Sequence, residues 1–387
     1  MRNLKKALCA VLTLSLVAAS FSACGTKVSS KNDKFYIGGI GPVTGDAAVY
    51  GKSVKNGADL AVKEINAAGG INGTQIEFMF EDDEADGEKS LNAYNTLKDK
   101  GMKVLMGTVT SGACASVIEK TNEDNMFQLT PSASSTDVLK YGNCFQVCFT
   151  DPNQGIASAQ YIGQNAVAKK VAVIYDSSDI YSSGIEEKFV QEAKNQNIEI
   201  VATEAFTADS KSDFSVQLQK AKDAGAELVF LPIYYKEATL ILQQSSDLGY
   251  KPIFFGCDGL DGILGVENFN KSLAEGVMLL TPFAADAKDD KTVKFVEDYK
   301  AAYKKEIPNQ FAADAYDAIY IIKAAIEKGS VTKDMSIADI SKALKTAMTQ
   351  ISVDGLTGEG MTWAATGEVN KAPRAVVIKD GAYVSAQ

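Results

Sequence analysis

The chain has 387 residues, 46% of them hydrophobic, with 49 acidic against 39 basic side chains, a formal net charge of −10 and no histidine. A surface of that sign argues against nucleic acid and anionic phospholipid as partners. The missing imidazole removes histidine general bases, Ser-His triads and imidazole metal sites.

The first residues form a targeting segment and stand outside any fold argument. Arg2, Lys5 and Lys6 precede an apolar run over 7–17, and Phe21-Ser22-Ala23-Cys24-Gly25 follows. Small residues before a cysteine at that distance match a bacterial lipobox. Residues 1–23 then read as a lipoprotein signal peptide, cleaved so that Cys24 carries the lipid. The apolar run is too short and wrongly flanked for a transmembrane helix. Residues 24–33, with Ser29-Ser30-Lys31-Asn32-Asp33, read as a flexible tether. Loss of the three basic signal residues takes the net charge from −10 to −13. No later run reaches spanning length, so the lipid is the membrane attachment expected.

Beyond the tether, strand and helix patterns alternate. A strand is expected over 35–40. A helix follows with Val54, Ala58, Ala61, Val62 and Ile65 on one face, stopped by Gly69-Gly70. Next come a strand over 76–80, an acidic turn, a helix through Leu91 and Leu97, and short buried strands over 104–106 and 126–129. A strand over 145–149 leads to Asp151-Pro152, where the alternation restarts. Helices are expected over 156–164, 184–195, 214–224 and 237–248, with strands over 171–175, 199–205, 228–231, 253–255 and 277–281. Three further helices, over 293–303, 311–327 and 337–348, precede a last strand over 374–378. In the helix over 311–327, Phe311, Tyr316 and Tyr320 have core spacing.

Strands and helices in this order imply an α/β fold of two lobes, each a doubly wound parallel sheet. Residues 34–151 and 283–357 are assigned to the first lobe, and 152–282 and 358–387 to the second. Crossings at Asp151-Pro152, at Pro282 and in the glycine-rich stretch 354–360 would make a three-crossing hinge. A ligand cleft between the lobes is the default site.

Two loops carry the chemistry. After the strand over 104–106 come Thr108, Thr110 and Ser111, and after the strand over 126–129 come Thr130, Ser132, Ser134 and Ser135. Carboxyl ends of strands open onto the crevice in such sheets. Hydroxyls beside the free N–H groups of a helix start suit a carboxylate, although helix capping alone would also explain them. After Arg2 only Arg374 remains as a guanidinium, so backbone N–H groups and hydroxyls must hold most of any carboxylate. Other motifs fail. Gly45 and Gly51 are separated by five residues where a phosphate loop needs four, and the carboxylates of 82–86 miss the calcium-loop pattern and read as a solvated turn. Cys144 and Cys148, if on a strand, lie roughly 13 Å apart, too far to bond. Cys114, Cys144, Cys148 and Cys257 are therefore expected as buried free thiols.

With these residues in view the chain resembles the branched-chain amino-acid-binding lipoproteins of ATP-driven importers, of the type I solute-binding fold. The resemblance rests on G-P-V-T-G-D-A-A-V-Y-G-K-S-V-K-N-G-A-D-L-A-V-K-E-I-N-A-A-G-G-I-N-G, the two loops within 107–135, D-S-S-D-I-Y-S-S-G, I-Y-Y-K-E-A and F-F-G-C-D-G. It covers essentially everything after residue 35. It implies that Ser111 meets the ligand α-carboxylate, that Ser132 contributes its backbone and Ser134 its hydroxyl, and that Tyr181 and Tyr234 are aromatic contacts of the second lobe. It further implies that Asp258 pairs with the α-ammonium and that Tyr50 walls the ligand side chain. Relatives of the leucine type usually carry Glu where this chain has Asp258. The segment 177–180 is one residue longer here, and a disulfide of some relatives would need cysteines near Ala85 and Thr110.

The reading is an extracytoplasmic, lipid-anchored, monomeric solute-binding protein. It captures an amino acid, branched-chain or aliphatic, and delivers it to permease subunits, with no cofactor or metal. The alternatives are a sensing receptor for an amide or other small polar solute, and an enzyme, for which no Ser/Lys or paired-carboxylate constellation is evident.

Overall fold

The computed structural model describes residues 33–386, so the signal segment, Cys24 and most of the tether lie outside the described residues. The first sheet is wholly parallel. It contains β1 (Lys34–Gly41), β2 (Gln75–Asp82), β3 (Val104–Gly107), β4 (Gln128–Thr130) and β5 (Cys144–Gln146) in the order β2-β1-β3-β4-β5. The second contains β6 (Lys170–Asp176), β7 (Glu199–Phe206), β8 (Leu228–Leu231), β9 (Ile253–Gly256), β10 (Met278–Thr281), β11 (Arg374–Lys379) and β12 (Ala382–Ser385). Its order is β12-β11-β10-β9-β8-β6-β7. From β7 to β10 the second sheet is parallel and repeats the order of the first, while β11 and β12 join antiparallel. Each lobe is thus doubly wound, with its switch point beside the first strand.

The sheets are covered on both faces, and the strands alternate accordingly. Val104 and Met106 of β3 pack into the core cluster that holds Val54, Ala58 and Ile65 of α1 (Ala48–Ala67), whereas Leu105 faces Ala93, Tyr94 and Leu97 of α2 (Gly87–Asp99). Helix α3 (Ser111–Glu123) completes that lobe's first run. In the second lobe α4 (Asp151–Gln164) and α5 (Ile180–Ala193) cover one face with Ala159, Ile162, Ile185 and Phe189. Helices α6 (Ser215–Asp223) and α7 (Tyr235–Asp247) cover the other. Helices α8 (Asp290–Ala302), α9 (Gln310–Lys328) and α10 (Ile337–Met348) return to the first lobe. There α9 approaches α1 closely enough that a Cβ on Gly57 would lie 2.0 Å from the Ala312 carbonyl oxygen.

The structure departs from the sequence expectations at several ends. Helix α4 begins at Asp151, five residues early, because Pro152 fits the first turn. Helix α5 begins at Ile180, capped by the Asp179 side chain on Tyr181 N–H. The acidic run is solvated at Glu84 and Asp86, which are exposed, but it is also a built turn at Asp82 and Asp83. Asp82 accepts from Val43 N–H, Thr44 Oγ1 and Glu84 N–H, and Asp83 is fully buried against Ser90.

The third crossing comes later than the glycine-rich stretch suggests. Trp363 Nε1 donates to the Gln146 carbonyl and Gln146 N–H donates to Gly367 O, so residues 363–367 still line the edge of the first sheet. Lys371 marks the crossing. Its side chain is 1% exposed and its ammonium lies 2.9 Å from Asp314 Oδ1 of α9. The same ammonium donates to Val147 O on the first crossing and to Thr357 Oγ1, and Asp317 accepts from Leu356 N–H and from the N–H and hydroxyl of Thr357.

Candidate functional site

The cleft lies where the carboxyl ends of the two sheets face each other. Tyr50, Val109, Thr110, Ser111, Ser132 and Phe311 line its innermost cavity from the first lobe, and Tyr181, Tyr234, Asp258 and Gly259 from the second.

The first-lobe half is a donor set without a cation. Ser111 is the first residue of α3, so its neighbouring N–H groups have no helical acceptor and the helix dipole favours negative charge there. Ser111 Oγ accepts from the N–H groups of Ser134 and Ser135, at 3.1 Å each. Its lone pairs are occupied, so its own proton is the group left to give. The Ser132 hydroxyl donates to Val109 O at 2.8 Å, which leaves that residue's backbone for a ligand.

The second-lobe half is a carboxylate. Asp258 follows β9 and is 3% exposed. Its Oδ1 accepts from the Tyr181 hydroxyl at 2.7 Å, and that hydroxyl accepts from Gly259 N–H at 2.9 Å. A Cβ on Gly259 would lie 2.6 Å from the same hydroxyl, so only glycine lets Tyr181 reach in. Gln154 of α4 accepts from Asp258 N–H, and Gln310 donates to Asp258 O. Burial pushes the Asp258 carboxyl up to about 7, against the hydrogen bonds of Tyr181 and Gln154.

Aromatic rings close the site. Tyr234 stacks on Tyr181 at 4.9 Å and meets Tyr50 edge-on at 5.7 Å, while Phe311 packs 4.2 Å from Tyr50. The Tyr50 hydroxyl donates to Gly259 O and accepts from Tyr235 N–H, and Tyr235 OH accepts from Val49 N–H. These bonds join first-lobe residues 49 and 50 to second-lobe residues 235 and 259, so the lobes are closed on each other. The cavity between them is reduced to about 10 Å³, the space of about one water. Past Thr110 and Tyr234 the cleft widens to about 540 Å³ between Asp46, Glu84 and Ala85 on one side and Asp176, Asp179, Lys211 and Glu237 on the other.

Six of the seven ligand contacts implied by the sequence meet in this cavity: Tyr50, Ser111, Ser132, Tyr181, Tyr234 and Asp258. Ser134 does not. It stands behind Ser111, holding it through its N–H group, and its side chain is outside the lining. Arg374 is exposed at the start of β11 and lines neither space. Four lining residues escaped the sequence reading as contacts. Phe311 had core spacing and is indeed 4% exposed, yet it also faces the cavity. Val109 and Gly259 carry no polar signal, and Thr110 was visible only as one hydroxyl among several. Cys114, Cys144, Cys148 and Cys257 are free and buried. Ala85 and Thr110 both border the wide part of the cleft. Among the described residues no helix is long and apolar enough to cross a membrane, and no acidic or cysteine cluster is placed to hold a metal ion.

A family model described as periplasmic binding protein matches residues 34–382. The chain is 33% identical over 336 residues to the Leu/Ile/Val-binding protein homolog 3 of Brucella melitensis, covering 85% of this chain and 88% of that one. It is 28% identical over 334 residues to the leucine-, isoleucine-, valine-, threonine-, and alanine-binding protein of Pseudomonas aeruginosa, with 85% and 88% covered. Among solved structures, the branched-chain amino acid transporter substrate binding protein LivJ of Streptococcus pneumoniae, in complex with isoleucine, superposes with a TM-score of 0.82 at 28% identity. That match covers 92% of this chain and 99% of the other.

Proposed function

This chain belongs to the periplasmic binding protein family, and we propose that it captures an amino acid with an aliphatic, branched side chain between its lobes and delivers it to the permease subunits of an ATP-driven importer. It is an extracytoplasmic carrier, not an enzyme: ligand binding holds the two lobes together and no covalent bond changes. The observation that carries this is the division of charge across the cleft. The first lobe offers hydroxyl and N–H donors at the start of α3 and the second offers the Asp258 carboxylate. A zwitterion satisfies both only when the lobes are closed, so its binding energy is differential between open and closed states. The apolar flank of Tyr50, Val109 and Phe311 suits an aliphatic side chain, and the names of the relatives support the same class.

A thermal-shift series against the amino acids and short amides tests it. Leucine, isoleucine or valine at a hundred times its dissociation constant should stabilise the protein by about 2.7 kcal/mol. A flat response to every amino acid, with an amide shifting the midpoint, would overturn the ligand class. Loss of uptake of that amino acid on deletion of the gene separates transport from sensing.

Ser111→Ala should weaken binding by about 1–2 kcal/mol, the worth of a hydrogen bond to a charged group, while Arg374→Ala stays near the wild-type affinity. Titration calorimetry decides it. If Arg374→Ala abolishes binding and Ser111→Ala is silent, the carboxylate lies elsewhere.

The protein works as a monomer tethered by lipid on Cys24, the small residues before which suit signal cleavage at that point. In Cys24→Ala it is expected to leave the membrane fraction or to keep its signal. Normal processing and unchanged fractionation in that variant would remove the anchor.

A further inference from the structure

Thr110 is the N-cap residue of α3, with an extended backbone at φ −92° and ψ 148°. A threonine there normally accepts a hydrogen bond from the second or third N–H of its helix. The caps of α2, α5, α8, α9 and α10 in this chain do so with their side chains, whereas Thr150 before α4 does not, although its hydroxyl is not among the buried side-chain groups left without a partner. Thr110 does not. Its carbonyl is engaged twice, by Cys114 N–H and by the Thr108 hydroxyl. Its own hydroxyl has no partner although the residue is only 5% exposed, an arrangement that folded proteins avoid unless the group serves another purpose.

Its position gives that purpose. Thr110 and Tyr234 are the two residues that line both the closed cavity and the wide outer cleft. A zwitterion held by Ser111 and Asp258 has its side chain between the apolar wall of Tyr50, Val109 and Phe311 and the passage past Thr110. The inner space is about 10 Å³ and the outer about 540 Å³, so a longer side chain has room only through that passage. Beyond it stand the carboxylates of Asp46, Glu84, Asp176, Asp179 and Glu237 against the ammonium groups of Lys211 and Lys236. Lys211 is shared between Asp46 at 3.1 Å and Glu237 at 3.8 Å. An aliphatic side chain leaves the Thr110 hydroxyl unpaired, an acidic one meets like charge, and a hydrogen-bond donor is accepted on both counts.

We propose that Thr110 forms a hydrogen-bonding subsite for the ligand's side chain, so that the protein takes amino acids bearing a side-chain hydroxyl or carboxamide beside aliphatic ones. This rests on the amino-acid reading above. The test uses near-isosteric pairs, valine with threonine and leucine with asparagine, titrated into the full mature protein and into Thr110→Val, which keeps the shape and removes the hydroxyl. The ratio of the two dissociation constants within a pair should move by about fivefold against the polar member in Thr110→Val. Thr110→Ser should hold the wild-type ratio, and Thr110→Ala replaces Thr110→Val should the latter fail to fold. Leucine binding with both ratios unmoved in the hydroxyl-free variant overturns the subsite alone. A wild type that binds neither member of either pair overturns the amino-acid reading and the subsite with it.

Discussion

Lys371→Met is expected to lower the thermal midpoint of the ligand-free protein by roughly 5 °C, the consequence of losing about 3–5 kcal/mol. Lys371 and Asp314 face each other at 2.9 Å with side chains 1% exposed, so screening by solvent is negligible. Removing the ammonium strands Asp314, whose carboxyl is already pushed up by burial and held down chiefly by Lys371. Asp317 stands beside it in the same condition. The Val147 carbonyl and the Thr357 hydroxyl lose a donor as well, and these belong to chain segments that tie the first crossing to the third. The pair itself is a poor stabiliser, because both ions had to leave water. The double variant Lys371→Met with Asp314→Leu should therefore recover most of the lost midpoint. Calorimetric scans of the wild type, both single variants and the double variant give the coupling directly. A single variant within about 1 kcal/mol of the wild type would show that the cluster is wetter or looser than its geometry implies.

The two-lobe architecture was legible in the sequence because buried parallel strands are short apolar runs separated by helical periodicity, and nothing else produces that alternation over this length. The site was legible in part for the same reason. Thr110, Ser111, Ser132, Tyr234 and Asp258 all follow strands, and the carboxyl ends of strands meet the cleft. What failed to be legible depends on contacts across the fold. Ser134 is two residues from the lining position Ser132, and only the hydrogen bond from its N–H to Ser111 shows that its task is support. Phe311 sits on a core helix and at the cleft together, which periodicity cannot separate. Lys371 follows the glycine-rich stretch with no local mark, and its partner is 57 residues away. One miss was avoidable. Asp380-Gly381 is a hairpin signal, and the structure holds both residues at positive φ, 52° and 72°, between β11 and β12.

Asp258→Asn is expected to weaken binding of the amino acid by about 2 kcal/mol or more, roughly thirtyfold, with the loss in the off-rate. The variant keeps the shape, the acceptor for Tyr181 and the local turn, and removes only the charge. The pH dependence makes the test specific. With the lobes closed, burial pushes the Asp258 carboxyl up to about 7. A bound ammonium requires it ionised, so binding must expel a proton whenever the pH lies below that value. Wild-type dissociation constants should rise by about tenfold per pH unit as the pH falls from 7 toward 5. Asp151, Asp179, Asp261 and Asp314 are also buried carboxyls raised by desolvation, Asp179 and Asp261 to about 6. The wild-type profile alone therefore belongs to the group of acids, and the part that vanishes in Asp258→Asn belongs to Asp258. Stability without ligand moves the other way. A carboxyl raised on folding contributes stability that is fully present below its unfolded value near 3.8 and is lost as the pH climbs through about 7. At neutral pH the variant should consequently be more stable than the wild type, by at most about 4 kcal/mol. Calorimetric titration of both proteins at pH 5, 6, 7 and 8, in buffers of different ionisation enthalpy, reads affinity and proton release together. Equal affinities with parallel pH profiles, for a ligand that the wild type binds, would take Asp258 out of the site and leave the ammonium to the backbone carbonyls and tyrosine faces around it.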